Sequence, residues 1–251
     1  MEVDTATISY VMRPASGPTL VLVPGSFDSA ESWQQFVTKL EPALALQIVI
    51  VELRGHGQSW PPPTSETGTI EQFAKDVLAC VNHAGIKSFY VGGHSIGGMV
   101  AIECARQKPD ALRGVLSIEG WTRASVAGAA FKGRPDTLSD EKKKRKLELR
   151  RPTTSHWTKE QLSTFAQIWT HWDGTQILEQ TTVPVLELWG DGGNTVRPSR
   201  NLMRIPDRPN IDLVWVPGAS HFLPLERPAE TAAAAGAFIQ KVEAARARPQ
   251  P

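Results

Sequence analysis

The chain has 251 residues, with 27 Lys plus Arg and 26 Asp plus Glu, so its formal net charge is +1. This length suits one large α/β domain, and the near-neutral balance gives no global field that would attract nucleic acid or an anionic membrane surface. No apolar run approaches the roughly 20 residues of a membrane span, and the N-terminus lacks a signal-peptide profile. We therefore expect a soluble, cytoplasmic protein that binds neither nucleic acid nor membrane.

Short apolar segments that alternate with helical patterns predict the fold. Near-continuous apolar strands are typical of a sheet that is covered on both faces. Seven such segments occur in chain order: ATISYVM (6–12), TLVLVPG (19–25), QIVIVEL (47–53), SFYVGG (88–93), GVLSIEG (114–120), VPVLELWG (183–190) and IDLVWVPG (211–218). Helical patterns at 70–85, 96–107 and 228–246 separate or follow them. This alternation predicts an α/β fold with a mainly parallel, doubly wound sheet and helices on both faces.

One long stretch breaks the alternation. Between residues 121 and 182 the sequence contains helical patterns but no convincing strand. Such a stretch is too long for a loop in a compact domain. It predicts a helical cap, or lid, at residues 122–182, inserted into a core domain formed by residues 1–121 and 183–251.

The clearest helix of the predicted cap covers residues 158–173. A capping box of Thr158 and Gln161 starts it, and Gly174 stops it. Helical spacing then places five apolar residues on one face: Leu162, Phe165, Ile168, Trp169 and Trp172.

A basic run, DEKKKRKLELRR, occupies residues 140–151. An anionic substrate or a nucleic-acid patch is one interpretation of it. A solvated helix face is the preferred one, because Glu141 and Glu148 are interspersed and no aromatic residues lie among the charges.

The strongest local signal for chemistry is GGHSIGG at residues 92–98. It contains a G-x-S-x-G pattern centred on Ser95, directly after the strand SFYV and before an apolar helix. A serine on such a strained strand-to-helix turn needs small neighbours, since Cβ atoms there would clash. The pattern also fits an ordinary glycine-rich turn, but its context favours Ser95 as a nucleophile.

A serine nucleophile requires a base to take its proton. Of the six histidines, only His221, in VPGASHFLP, follows a late strand on a loop that could fold over the serine. The others lie beside the serine, in the RGHG turn, or in helical and cap sequence: His94, His56, His83, His156 and His171. His221 is therefore the candidate base.

Together these motifs resemble the α/β-hydrolase family over nearly the full chain. LVLVPGSFDSAESW is similar to its oxyanion-loop segment, VELRGHGQS to the turn after the next strand, GHSIGG to its nucleophile elbow and GASHFLPLERPAE to its histidine loop. The resemblance implies an eight-stranded sheet, a cap after the sixth strand and the chain order serine, acid, histidine. It also implies an oxyanion hole formed by the backbone N–H groups of Ser26 and Ile96, although Pro24-Gly25 stands where the family usually has His-Gly.

The position of the acid departs from the usual family pattern. Most members carry it after the seventh strand, three residues past a glycine, and that position here is Gly193, with Asp191 two residues too early. Zearalenone lactonases, haloalkane dehalogenases and cofactor-free quinaldine dioxygenases carry the acid after the sixth strand, where Glu119 stands. The resemblance thus implies that Glu119 accepts the Nδ1–H bond of His221. Asp191 as the acid, and a purely structural Glu119, are the alternatives.

The leading functional prediction is a serine hydrolase that cleaves a carboxylic ester or lactone through an acyl-enzyme. Two alternatives share the fold: a cofactor-independent dioxygenase that uses the His–acid pair as a base, and a non-catalytic binding protein. Trp121, Trp169 and Trp172 are the predicted substrate-binding residues, and they favour a small-molecule substrate that is apolar and bulky or aromatic. Cys80 and Cys104 lie in apolar helical patterns without metal spacing, so neither a metal nor a cofactor is expected, and the oligomeric state is left open.

Overall fold

The computed structural model describes residues 1–248, without the side chains of residues 41–43. Within this range there are nine strands: β1 (Glu2–Val3), β2 (Ala6–Thr7), β3 (Tyr10–Arg13), β4 (Thr19–Val23), β5 (Gln47–Val51), β6 (Phe89–His94), β7 (Leu112–Ile118), β8 (Val185–Gly190) and β9 (Ile211–Val216). The α-helices of the same range are α1 (Gln34–Leu44), α2 (Ile70–His83), α3 (Ile96–Gln107), α4 (Ala124–Phe131), α5 (Asp140–Thr154), α6 (Lys159–Gln167), α7 (Thr175–Gln180), α8 (Leu223–Glu226) and α9 (Pro228–Arg246). None of these helices is long and apolar enough to span a membrane. The last three residues of the predicted core segment 183–251 lie outside the described range.

The main sheet confirms the predicted α/β class. Its strand order is β3-β5-β4-β6-β7-β8-β9, and every neighbouring pair is parallel except β3 with β5. The chain moves from β4 outward to β5 and then returns to place β6 on the other side of β4. Such a reversal opens a crevice at the carboxyl ends of the strands, which is where ligands bind in open α/β sheets.

The sheet has seven strands in the described range, and the expected eighth strand is absent from it. The N-terminal residues instead form a separate two-stranded hairpin of β1 and β2, paired Glu2 to Thr7 and Val3 to Ala6. Asp4 takes a positive φ of 50° at its turn. Since so tight a turn returns the chain on itself after two residues, this segment does not reach the sheet edge as a strand.

Side chains alternate between two hydrophobic cores, one on each face of the sheet. In β4, Val21 and Val23 join the core under α2 and α3, whereas Leu20 and Leu22 join the core under α1 and α9. This double coverage explains why the strands are apolar throughout. Cys80 and Cys104 are buried in the first core, as expected for core thiols.

Residues between β7 and β8 form the helices α4 to α7 and a short 3-10 turn, Ile168–Thr170. Thr158 and Gln161 make the predicted capping box at the start of α6. The predicted helix 158–173 is too long, however, because α6 ends at Gln167 and the chain tightens into the 3-10 turn. Trp169 and Trp172 therefore do not share one α-helical face. The helical insertion is observed, while its division from the core as a domain stays a prediction.

Candidate active site

Ser95 occupies the turn between β6 and α3. Its backbone has φ 57° and ψ −122°, a conformation that a residue with a side chain rarely adopts. Its N–H donates to Ile118 O over 2.9 Å, which ties the turn to the neighbouring strand β7. The side chain is 6% exposed. This strained strand-to-helix turn has the backbone geometry that the predicted nucleophile elbow requires.

The glycines around Ser95 are required by close backbone contacts. A Cβ added to Gly93 would lie 2.0 Å from Gly97 O, and one added to Gly97 would lie 2.3 Å from Val23 O. Both distances are far below van der Waals contact. The small residues that the sequence pattern predicts are therefore a steric necessity of this turn.

Glu119 and His221 are brought together at the carboxyl edge of the sheet. Glu119 directly follows β7, is fully buried and has a positive φ of 55°. His221 lies on the loop after β9, and its Nδ1 is 3.1 Å from Glu119 Oε2. Because a carboxylate can only accept, Nδ1 carries the hydrogen. The buried glutamate at the end of an apolar strand thus has a hydrogen-bond partner.

No hydrogen bond joins Ser95 Oγ to His221 among the residues that the structure describes. His94, the residue before the serine, does contact the histidine loop. Its Nε2 lies 2.7 Å from His221 O, and the two imidazole ring centres are 4.9 Å apart. Serine–histidine contacts are often loose without substrate and tighten in the complex.

Asp191, the alternative acid, has other partners. Its Oδ1 accepts from the N–H groups of Gly193 and Gly218 over 2.9 and 2.7 Å, and Oδ2 accepts from Arg197 over 2.8 Å. Burial raises the pKa of Asp191, but the hydrogen bonds from Arg197, Gly193 and Gly218 outweigh this and hold the pKa below its ordinary value. The carboxylate has no contact with His221 within residues 1–248, so this geometry does not favour it as the acid.

The predicted oxyanion donors are the N–H groups of Ser26 and Ile96. Ile96 begins α3, where backbone N–H groups lack helical acceptors. Ser26 is half-buried on the loop after β4, and neither of the two N–H groups has a protein acceptor in the described part of the chain. Both are therefore free to bind a ligand oxygen.

His56 fixes the loop that carries Ser26, a role that the sequence interpretation did not assign. The N–H of Phe27, whose φ is 66°, donates to His56 Nε2 over 2.9 Å, and His56 Nδ1 donates to Arg54 O over 2.8 Å. Burial lowers the pKa of His56 to about 4, so the ring is neutral at pH 7 and Nε2 remains an acceptor. The RGHG spacing is the only sequence signal for this contact.

Aromatic side chains surround His221. Its ring centre lies 5.0 Å from that of Phe131, 5.2 Å from Phe222 and 5.9 Å from Trp121. We call these three residues the aromatic wall. The indole N–H of Trp121 is buried and has no acceptor among the described residues.

The other two predicted tryptophans differ in position. Trp169 packs edge-on against Trp121, with ring centres 5.1 Å apart. Trp121 in turn packs against His221. Trp172 is buried, and its Nε1 donates to Glu103 Oε2 of α3 over 3.1 Å. This contact joins the insertion to α3, and substrate binding by Trp172 stays a prediction.

The basic run 140–151 is only partly a solvated helix face. In α5, Arg150 Nε donates to Asp28 Oδ1 over 2.9 Å, and Lys146 Nζ lies 4.1 Å from the ring centre of Phe222. Burial raises the pKa of Asp28, and the nearby Arg150 partly offsets the effect. One side of α5 therefore contacts the loop after β4, which carries Ser26 and Asp28, and Phe222 of the aromatic wall. The charge pattern alone could not indicate these contacts.

Comparison with known proteins gives a family and a set of structural neighbours. A sequence model described as "Alpha/beta hydrolase family" matches residues 20–234. A curated protein of Escherichia coli O103:H2 whose name is "Putative carbamate hydrolase RutD" is 31% identical over 112 residues, which are 45% of this chain and 41% of that protein. The match thus spans about two fifths of the length of such relatives.

Two solved structures share the fold over nearly the whole chain. An esterase from Thermogutta terrifontis has a TM-score of 0.72 and 22% identity, covering 94% of this chain and 93% of that chain. The enol-lactonase from Burkholderia xenovorans LB400 has a TM-score of 0.76 and 21% identity, covering 95% and 98%. At such identities the likeness concerns the fold alone.

Proposed function

Since this chain belongs to the α/β hydrolase family, we propose that it is a serine hydrolase that cleaves a carboxylic ester or a lactone. The observation that carries the proposal is the hydrogen bond between His221 Nδ1 and Glu119 Oε2, next to the elbow that holds Ser95. With the hydrogen on Nδ1, the Nε2 lone pair of His221 is available as a base. The similar folds of an esterase and an enol-lactonase support the same reaction class.

In the proposed mechanism, Ser95 Oγ attacks the acyl carbon while its proton passes to His221 Nε2. The N–H groups of Ser26 and Ile96 bind the oxyanion, and Glu119 stabilises the imidazolium. His221 then protonates the departing alkoxide, which leaves an acyl-enzyme. His221 then deprotonates a water, which attacks the acyl carbon. The protonated His221 returns this proton to Ser95 Oγ as the carboxylic acid product leaves.

The aromatic wall supports a bulky or aromatic apolar substrate. Its rings favour flat apolar groups beside His221, and the unpaired indole N–H of Trp121 favours a substrate with a hydrogen-bond acceptor. Ser95 and Trp121 are both buried, so we expect the segment between β7 and β8 to move when such a substrate enters.

A fluorophosphonate probe, which labels activated serines, together with a p-nitrophenyl ester series, tests the proposal. We expect labelling at Ser95, turnover of aryl esters in preference to short aliphatic esters, and loss of both activities in Ser95→Ala. Labelling that persists in Ser95→Ala, or a wild-type protein that is neither labelled nor active on any ester, lactone or carbamate, would contradict it.

A cofactor-independent dioxygenase is the second candidate. The hydrogen-bonded pair of His221 and Glu119 favours it, because such a pair could deprotonate a substrate without a covalent serine step. Oxygen consumption with a quinolone substrate, retained in Ser95→Ala, is the result that selects this alternative.

A further inference from the structure

Arg134 has a place in the site that no sequence motif predicts. It follows α4 in the segment between β7 and β8, and its side chain is 4% exposed. Nη1 donates to Glu119 Oε1 over 2.8 Å, and Nη2 donates to Glu119 Oε2 over 2.6 Å. Nη1 also donates to Gly190 O over 2.5 Å. The guanidinium is therefore fastened both to the proposed acid and to the end of β8.

These contacts leave the Glu119 carboxylate no freedom to turn. Oε1 accepts from Arg134 Nη1 and from the Gly190 N–H, the latter over 2.6 Å. Oε2 accepts from Arg134 Nη2 and from His221 Nδ1. A carboxylate offers about two acceptor sites on each oxygen, so all of them are occupied. The site that His221 uses is the one that the other three donors leave.

We infer that Arg134 is a positioning residue, which holds Glu119 in the orientation in which Oε2 accepts the Nδ1–H of His221. The inference rests on the proposed function, because this orientation matters for turnover only if His221 is the base. Bidentate arginine–carboxylate pairs restrict geometry as well as adding strength. Arg134 also belongs to the helical insertion, so displacement of this segment disturbs the acid directly.

Phe131 gives the same segment a second contact with the pair. Its ring centre lies 4.7 Å from Arg134 Cζ and 5.0 Å from the centre of the His221 ring. The guanidinium, the phenyl ring and the imidazole thus pack in a row. One short stretch of chain supports both the acid and the base.

The charges of the buried cluster agree with this role. Glu119 is fully buried, and a carboxylate without a compensating charge there would be costly. The nearby Glu187 stays neutral at pH 7, because burial raises its pKa to about 8. Among the described residues, Arg134 is the permanent cation in contact with Glu119.

Arg134→Ala, Arg134→Lys and the control Arg197→Ala test the inference. Arg197 pairs with Asp191 and lines the same cavity as Arg134. Arg197→Ala therefore removes one positive charge, as Arg134→Ala does, but no hydrogen bond to Glu119. With the best ester substrate we expect Arg134→Ala to lower kcat about 100-fold or more with little change in KM, because small misplacements of catalytic groups have effects of this size. Arg134→Lys should be intermediate, and Arg197→Ala within about threefold of wild type.

Chemical rescue separates positioning from a purely structural role. A cavity of about 510 Å³ borders Arg134, so a small guanidinium ion can reach the space that Arg134→Ala leaves. We expect methylguanidinium, at concentrations far below those that unfold proteins, to restore kcat of this variant at least about tenfold. Wild type and Arg197→Ala should not respond. Equal losses of kcat in the two alanine variants, or a loss in Arg134→Ala that methylguanidinium does not reverse, overturns the inference.

Two further measurements complete the test. The first distinguishes a specific effect on Glu119 from poor folding of Arg134→Ala, and the second applies even if wild type turns over no ester. Glu119→Gln removes the group that Arg134 orients, so adding Arg134→Ala to it should cost less than about threefold in kcat, and a full 100-fold loss there contradicts the inference. The low-field proton resonance of the His221 Nδ1–H does not depend on turnover. It should be present in wild type and Arg197→Ala and weakened in Arg134→Lys, and an unchanged resonance in that variant also overturns the inference.

Discussion

His94 Nε2 donates a hydrogen bond to the backbone oxygen of His221 over 2.7 Å, so the residue before the serine holds the loop of the proposed base. Burial lowers the pKa of His94 well below its ordinary value, and the nearby His221 adds to this effect. The His94 ring is thus neutral at pH 7. Since a carbonyl oxygen only accepts, its single hydrogen is on Nε2.

We expect His94→Leu to lower kcat about 10- to 100-fold, because the histidine loop loses its tether and His221 O is left unpaired. His94→Gln keeps an amide N–H in a similar position and should retain most of the activity. Steady-state kinetics with an aryl ester check both variants. If the leucine variant is as active as wild type, the tether has no catalytic importance.

Glu119→Gln should lower kcat by about 10³ to 10⁴, because a neutral amide can leave His221 in the wrong tautomer. Asp191→Asn should change kcat by less than about tenfold, since Asp191 contacts Arg197 and two backbone N–H groups and makes no contact with His221. Parallel kinetics of the two variants decide between them. If Asp191→Asn lowers kcat severely and Glu119→Gln lowers it only slightly, Glu119 is not the acid.

Trp169 and Trp172 should respond differently to substitution. Trp169→Ala removes a ring that supports Trp121, and we expect kcat/KM for an aryl ester to fall at least about tenfold. Trp172→Phe removes the N–H that Glu103 accepts and part of the buried ring, so stability should fall by about 1–3 kcal/mol while kcat/KM stays within about threefold. Kinetics and urea unfolding of both variants test this contrast, and it fails if Trp172→Phe loses kcat/KM as severely as Trp169→Ala.

Glu187 of β8 gives the protein a pH-dependent stability. Burial raises its pKa from 4.5 to about 8, partly opposed by the hydrogen bond from Trp189 Nε1 to Glu187 Oε2. Between about pH 4.5 and pH 8, Glu187 is therefore ionised in the unfolded chain and protonated in the folded chain. Its contribution to the free energy of unfolding therefore falls as pH rises from about 4.5 to 8, by roughly 1 kcal/mol per pH unit.

Glu187→Gln should remove this dependence, because an amide does not titrate. Relative to wild type, the variant should become more stable at each step from pH 5 to pH 8, as measured by urea unfolding. The difference cancels contributions from other titrating groups, including His56. A stability difference that is independent of pH over this range would mean that Glu187 is ionised in the folded protein.

The residues predicted from sequence are those whose signals are local. The glycines of GGHSIGG report a steric requirement of one turn, and Glu119 is conspicuous because a carboxylate ends an apolar strand. Arg134 gave no such signal, since its partner lies 15 residues away across a segment without periodicity. His56 was likewise visible only as part of a turn.

The errors in the predicted elements have tertiary causes. The apolar face from Leu162 to Trp172 predicts one long helix, but Trp172 binds Glu103 of α3 and the chain tightens after Gln167 to reach it. The expected eighth strand is absent from the described sheet. The N-terminal residues form a separate hairpin instead, and Asp4 lies at its turn with a positive φ. Long-range contacts of this kind override local propensity.

Ser95 and Glu119 extend from neighbouring strands in the middle of the sheet. His94 of β6 pairs with Ile118 of β7, and Ser95 N–H donates to Ile118 O. Adjacent strands are about 4.8 Å apart, so the pairing of these two strands sets the spacing between the proposed nucleophile and the proposed acid. The loop of His221, by contrast, leaves β9, which is the last strand of the sheet order.

Proteins open locally at their edges before they unfold as a whole. In this sheet such an opening at β9 would displace His221, the proposed base, while Ser95 and Glu119 kept their spacing. We therefore expect warming to abolish the proposed activity through reversible fraying of this edge strand, below the temperature at which the whole sheet unfolds. Amide hydrogen exchange should be faster in β9 than in β6 and β7, and activity lost in this way should return on cooling.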